Sequence, residues 1–163
     1  FFFNSLNNLD THDTKRIITA CSGKMQLVRT AWELLFMFPG IPCVYYGDDA
    51  GLVGDSDPDN RRFVPWGHEN QEMLQFMKRL ISKRRASQVL SRGELSLFVS
   101  GTFLGIGRFL GDEAVAYIVN ASDCEAEFNP DQLQSFHDEA GLGAKLCQAF
   151  ARKKFGAWES AEI

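Results

Sequence analysis

Residues 24–48, KMQLVRTAWELLFMFPGIPCVYYGD, carry the change of periodicity that decides the fold. Leu27, Val28, Ala31, Trp32, Leu34, Leu35 and Phe38 recur at helical spacing, with Lys24, Gln26, Arg29 and Glu33 between them. This predicts an amphipathic helix over 24–38. Pro39-Gly40 stops it, because proline cannot continue a helix and glycine suits the turn that follows. Ile41 to Tyr46 is short, β-branched and aromatic, and lacks polar alternation. That pattern predicts a strand buried on both faces, as in a parallel sheet covered by helices.

Working outward, residues 1–9 are aromatic and then Asn/Leu rich and suit a strand, with Asp10 to Thr14 as the loop after it. A long acidic, glycine-bearing loop runs from Gly47 past Arg61, Arg62 and Trp66. Met73, Leu74, Phe76, Met77, Leu80 and Ile81 then mark the buried stripe of a second helix, expected over 69–86. Strand, helix, strand, helix is the signature of a β/α unit. After Gly93 the texture changes. Leu95 to Val99, Phe103 to Phe109 and Ala114 to Val119 read as short strands between glycine or acidic turns and predict an antiparallel sheet. The two textures place a domain boundary near 91, giving domains 1–91 and 92–163. Beyond Phe128 the signal fades, and Ala144 to Phe155 fits either a strand pair or a helix.

With 45% hydrophobic and 23% charged residues in 163, the chain can bury one substantial core or two small ones. Pro39, Gly40 and Pro42 break its longest apolar stretch below the roughly 18 residues of a membrane span. A formal charge of -4 supplies no broad basic surface for nucleic acid. The basic cluster Lys78, Arg79, Lys83, Arg84 and Arg85 alternates with an apolar stripe and reads as the wet face of a helix. Cys21, Cys43, Cys124 and Cys147 match no CxxC metal pattern and read as buried free thiols, which favours a reducing compartment, although their spacing also permits two bridges. The opening Phe1-Phe2-Phe3-Asn4 has neither an initiator Met nor a signal-peptide layout, so the true N-terminus is expected upstream.

Two constellations carry chemistry. His12-Asp13 falls on a loop after a strand, where β/α barrels place their reactive groups. Asp13 or Thr14 could equally cap a helix starting near Lys15. Asp55-Ser56-Asp57-Pro58-Asp59-Asn60 offers carboxylates at alternating positions, yet Asn60 stands where a calcium loop needs glycine and Trp66 where it needs its bidentate Glu. A better reading sets Asp57 and Arg61 across a proline turn, converging on one polar ligand; the alternative is a surface ion pair.

Asn7-Asn8-Leu9-Asp10-Thr11-His12-Asp13-Thr14, then Pro39-Gly40-Ile41-Pro42-Cys43-Val44-Tyr45-Tyr46-Gly47-Asp48, resemble the seventh and eighth strand regions of the α-amylase family. Asp57-Pro58-Asp59-Asn60-Arg61 and Val64-Pro65-Trp66 resemble its neopullulanase, cyclomaltodextrinase and maltodextrin glucosidase branch. The likeness covers residues 1 to about 120; Asp49 and Ser56 depart from the glutamate and asparagine usual there, and the family's closing C-terminal strand is not evident.

The resemblance implies an α/β fold: the C-terminal part of a (β/α)8 TIM barrel, its last two β/α units, followed by an antiparallel β-sandwich. It implies a retaining glycoside hydrolase of maltodextrins, cyclodextrins or pullulan, with Asp13 as the third, transition-state-stabilising carboxylate and His12, Asp57 and Arg61 as substrate-binding residues. Neither the nucleophile nor the acid/base has a matching motif, so these residues alone are expected to be inactive. Expected partners are the α-glucan oligosaccharide and the remainder of the barrel, with a homodimer of the complete enzyme admitted and no nucleic acid or membrane. No cofactor and no metal are expected, and the location implied is cytoplasmic. The alternatives are a non-catalytic amylase-like binding or partner protein, and a sugar-binding or structural β module after Gly93 in which Phe98, Phe103, Phe109 and Tyr117 stack on sugars rather than fill a core.

Overall fold

The computed structural model describes residues 4–136 and 141–163; Phe1 to Phe3, the start of the first expected strand, lie outside the described residues. Contacts divide the chain into two units, one of residues 1–36 and 40–86 and the other of 37–39 and 87–163. The division between Ala86 and Ser87 comes ahead of the boundary expected near 91. The reason is a short helix, α4 (Gln88–Arg92), that packs on strands of the second unit.

In the first unit β1 (Leu6–Asn7) and β2 (Ile41–Pro42) pair in parallel, with Leu6 opposite Ile41. Between them run α1 (Ile17–Ala20) and α2 (Met25–Met37). Gly40 must be glycine: its φ is +105°, and a Cβ there would lie 2.7 Å from the Ser5 carbonyl oxygen. The expected strand through Tyr46 is shorter than its composition suggests, and Ile41 is exposed rather than buried on both faces. Among the described residues the only ladder neighbour of β2 is β1, so apolar content has no second neighbour to bury it. Val28, Trp32 and Phe36, one turn apart on α2, meet Met73, Phe76 and Met77 of α3 (Gln71–Ala86) and Ile17 and Ile18 of α1 in one core. Asn70 caps α3, its side-chain oxygen accepting from Met73 N at 3.1 Å. Arg84 corrects the wet-face expectation. It is buried, its guanidinium donating to the carbonyls of Phe36 and Gly40, where it satisfies backbone acceptors left free at the end of α2.

The second unit is built on five antiparallel strands in the order β7 (Gln134–Phe136), β3 (Glu94–Ser100), β4 (Phe103–Leu110), β5 (Glu113–Asn120), β9 (Ser160–Glu162). An edge strand that the sequence conceals is β9, with Ala161 opposite Ile118. Residues 144–155 supply both alternatives in part: α5 (Leu142–Phe150), then β8 (Lys154–Phe155) paired with β6 (Ala126–Glu127). The layer over the sheet, among the described residues, is this helix with the two-stranded ladder rather than a second sheet of similar size. Phe98, Phe103, Phe109 and Ile118 from the sheet meet Phe128, Leu142, Leu146, Phe150 and Phe155 from that layer. Phe98, Phe103, Phe109 and Tyr117 are all buried, so none of them offers a face to sugar. All four cysteines are free; Cys124 is exposed, and burial raises the thiol pKa of Cys21 and Cys147.

Candidate active site

The loop after β1 (residues 8–16) and the loop after β2 (residues 43–70) both leave the C-terminal ends of parallel strands, where open α/β sheets present their ligand groups. The four residues singled out in the sequence come together there. His12 Nε2 lies 3.2 Å from Asp13 Oδ2. Arg61 reaches across from the second loop, with Nη2 3.7 Å from Asp13 Oδ1 and Nε 3.2 Å from Asp57 Oδ1. The same Nε donates to the His12 carbonyl at 3.2 Å. All four side chains are exposed, from 44% for Arg61 to 71% for Asp13. Exposed ion pairs contribute only about 0–1 kcal/mol each, so these contacts cannot by themselves hold two loops in register.

What holds them lies underneath. Asp13 and Thr14 do not cap a helix; Asp10 does, its Oδ2 accepting from Ile17 N at 2.6 Å at the start of α1. Arg16 is fully buried and donates to the Asn60 carbonyl (2.8 Å), the Tyr46 carbonyl (2.5 Å) and Asp48 Oδ1 (3.0 Å). Its guanidinium carbon sits 4.1 Å from the Tyr45 ring centre and 4.6 Å from that of Tyr46, within cation–π range of both, and the two rings meet each other edge to face at 4.6 Å. Asp48, also fully buried, has its pKa pushed up to about 8, chiefly by burial and then by the neighbouring Asp10 carboxyl, against the lowering pull of Arg16. Asp10 Oδ1 and Asp48 Oδ2, both buried, have no hydrogen-bond partner among the described residues.

Asn60 ties the layers. It is buried on a 3-10 turn (Asp59–Arg61), and its Nδ2 donates to the carbonyls of His12 (2.8 Å) and Thr14 (2.9 Å). Gly54 permits this approach, since a Cβ there would lie 2.5 Å from the Asp59 carbonyl oxygen. Each carboxylate of the run 55–59 has a protein partner. Asp55 pairs with Lys15 at 2.7 Å, Asp57 with Arg61, and Asp59 with both Arg62 and the Asp55 amide. The Asp55 amide, and after it the Arg62 guanidinium, lower the Asp59 pKa. Sequence reasoning missed Asp10, Arg16, Asp48 and Asn60 as a unit. The available signal was that Asp10, Asp48 and Asn60 lie inside the quoted motifs and Arg16 two residues after the first of them.

The alpha-amylase catalytic-domain family model matches residues 3–91. The intracellular maltogenic amylase of Bacillus subtilis strain 168 is 39% identical over 153 residues, covering 90% of this chain and 25% of that protein. A cyclomaltodextrinase of Geobacillus thermopakistaniensis is 34% identical over 128 residues, 76% of this chain and 22% of that protein. Among solved structures, the cyclic α-maltosyl-(1→6)-maltose hydrolase of Arthrobacter globiformis in complex with cyclic α-maltosyl-(1→6)-maltose superposes with a TM-score of 0.76 at 29% identity, covering 96% of this chain and 34% of that one. The chain therefore spans about a third or less of each of these relatives' length. No helix among the described residues is long and apolar enough to cross a membrane. Two strand-tip loops that meet over a buried charge cluster, in a segment matched through residue 91 by one family model, make this chain a member of the alpha-amylase catalytic-domain family.

Proposed function

We propose that this chain forms the sugar-gripping end of the active site of a retaining α-glucan hydrolase, with Asp13 as the transition-state-stabilising carboxylate. The observation that carries this reading is the convergence of His12, Asp13, Asp57 and Arg61 at the tips of two parallel strands, with every side chain open to solvent. The relatives' names, maltogenic amylase and cyclomaltodextrinase, favour an α-glucan as substrate.

Retaining glycosidases place a nucleophile and an acid/base on opposite sides of the scissile bond and pass through an oxocarbenium-like state. Neither group has a counterpart in this chain, so both come from the rest of the barrel, and the chain alone is inactive. Asp13 and His12 hold ring hydroxyls of the sugar at the cleavage point. Contacts that tighten as the ring flattens accelerate the reaction rather than merely bind substrate. Asp57 and Arg61 grip a sugar on the non-reducing side, through charge-assisted hydrogen bonds to its hydroxyls. Leu6 and Ile41, both exposed on the two-stranded ladder, are where further barrel strands and helices pack.

The test is the complete barrel containing this chain, assayed on maltodextrin, cyclodextrin and pullulan beside its Asp13→Asn variant. Loss of about 10²-fold or more in kcat with a folded protein is expected, the scale of removing a transition-state contact. Unchanged turnover of Asp13→Asn overturns the role given to Asp13.

A further inference from the structure

One buried amide uses both of its N–H bonds on the two neighbours of Asp13. Asn60 Nδ2 donates to the carbonyl of residue 12 and to that of residue 14, so the backbone on either side of Asp13 hangs from a single side chain. The residue is itself anchored at its backbone, because the Asn60 main-chain carbonyl accepts from the buried Arg16 Nε. Arg61, next to Asn60 on the same turn, donates to the same His12 carbonyl and pairs with Asp57. The height of the 12–14 loop over the 57–61 turn is thus set by Asn60, since the ion pairs above it are exposed and weak. Neither aspartate, which offers no donor when ionised, nor serine, which offers one, can make both bonds.

We propose that Asn60 is a positioning residue for Asp13: its amide fixes where the carboxylate meets the flattening sugar ring, and so acts on the transition state more than on substrate binding. The proposal rests on the role given to Asp13 above. A shift of about 1 Å in a group that touches the reacting ring can cost about 10²-fold in rate, so a small displacement of this loop is enough.

The experiment compares Asn60→Ala, Asn60→Ser and Asp13→Asn in the complete barrel, with rates expressed per active site after titrating the active fraction. Asn60→Ala is expected to lower kcat about 10–100-fold with KM within about threefold of wild type. Inhibition by a cationic iminosugar, which mimics the flattened ring, is expected to weaken by the same factor as kcat/KM, while product inhibition by maltose stays unchanged. Asn60→Ser, with one donor left, is expected to fall between. A purely structural role would lower the active fraction and leave kcat per site and the iminosugar constant as they were, and that result overturns the proposal. If Asn60→Ala does not fold, a folded Asn60→Ser with wild-type kcat overturns it equally. A turnover-competent Asp13→Asn overturns the reading of the site and this inference with it; an inactive Asp13→Asn beside a fully active Asn60→Ala overturns this inference alone.

Discussion

The two polar layers around the strand tips, His12, Asp13, Asp57 and Arg61 above and Asp10, Arg16, Asp48 and Asn60 below, obey opposite rules. In the upper layer solvent screens every pair and no single contact is strong. In the lower layer every side chain is all but fully removed from water, so each charge must be matched and each error is costly. The difference teaches where the site's geometry comes from. The exposed groups at the strand tips are placed by groups that water does not reach.

The largest effect expected from breaking this arrangement is in the lower layer. Arg16→Met leaves Asp10 and Asp48 buried without a cation and should destabilise the first unit by about 3–5 kcal/mol, the usual cost of orphaning a buried ionic partner. Denaturant unfolding of the complete barrel checks it, and a loss below about 1 kcal/mol would show that the cluster carries little of the fold.

Asp48→Asn sharpens the same point through pH. Folded Asp48 holds its proton up to about pH 8, whereas its ordinary value is 3.8. Between those values the folded state binds more protons than the unfolded chain, so this group makes stability fall as pH rises through the window and level off above it. Asparagine removes that slope and is expected to raise the melting temperature at pH 8 and above relative to wild type while changing it little near pH 4. Parallel melting curves of the two proteins across pH 4–9 measure it, and identical curves would place no proton in the cluster.

The smallest stability effect belongs to the upper layer. Asp57→Ala and Arg61→Ala should each change unfolding free energy by less than about 1 kcal/mol, because the pair is exposed. Their expected signature is kinetic: KM for maltodextrin rises with kcat nearly constant, as befits uniform binding rather than transition-state contact. A fall in kcat with unchanged KM would move these residues from grip to chemistry.

Much of this was legible in the chain itself, for identifiable reasons. The helices α2 and α3 were visible because their apolar residues recur every three or four positions, and β3, β4 and β5 because glycine and acidic turns separate β-rich runs. The edge strand β9 was not, since three residues of Ser160–Glu162 carry no periodicity and pair only because β5 offers an edge. The basic run of α3 misled at Arg84, whose charge is used on two backbone carbonyls rather than on solvent. At the site, His12, Asp13, Asp57 and Arg61 stood out through motif order, whereas Asn60 looked like a failed calcium-loop position.

Local sequence could therefore settle the long helices and the central strands, because periodicity, turn chemistry and motif spacing act over a few residues. Only the tertiary structure could decide that Arg16 lies beside two tyrosine rings against Asp48, and that one amide at position 60 holds residues 12 and 14, more than forty positions away. Burial is the physical reason. An ionisable or amide side chain changes its protonation and its partners when packing strips it of water, and packing is a property of the folded chain, not of any stretch of it.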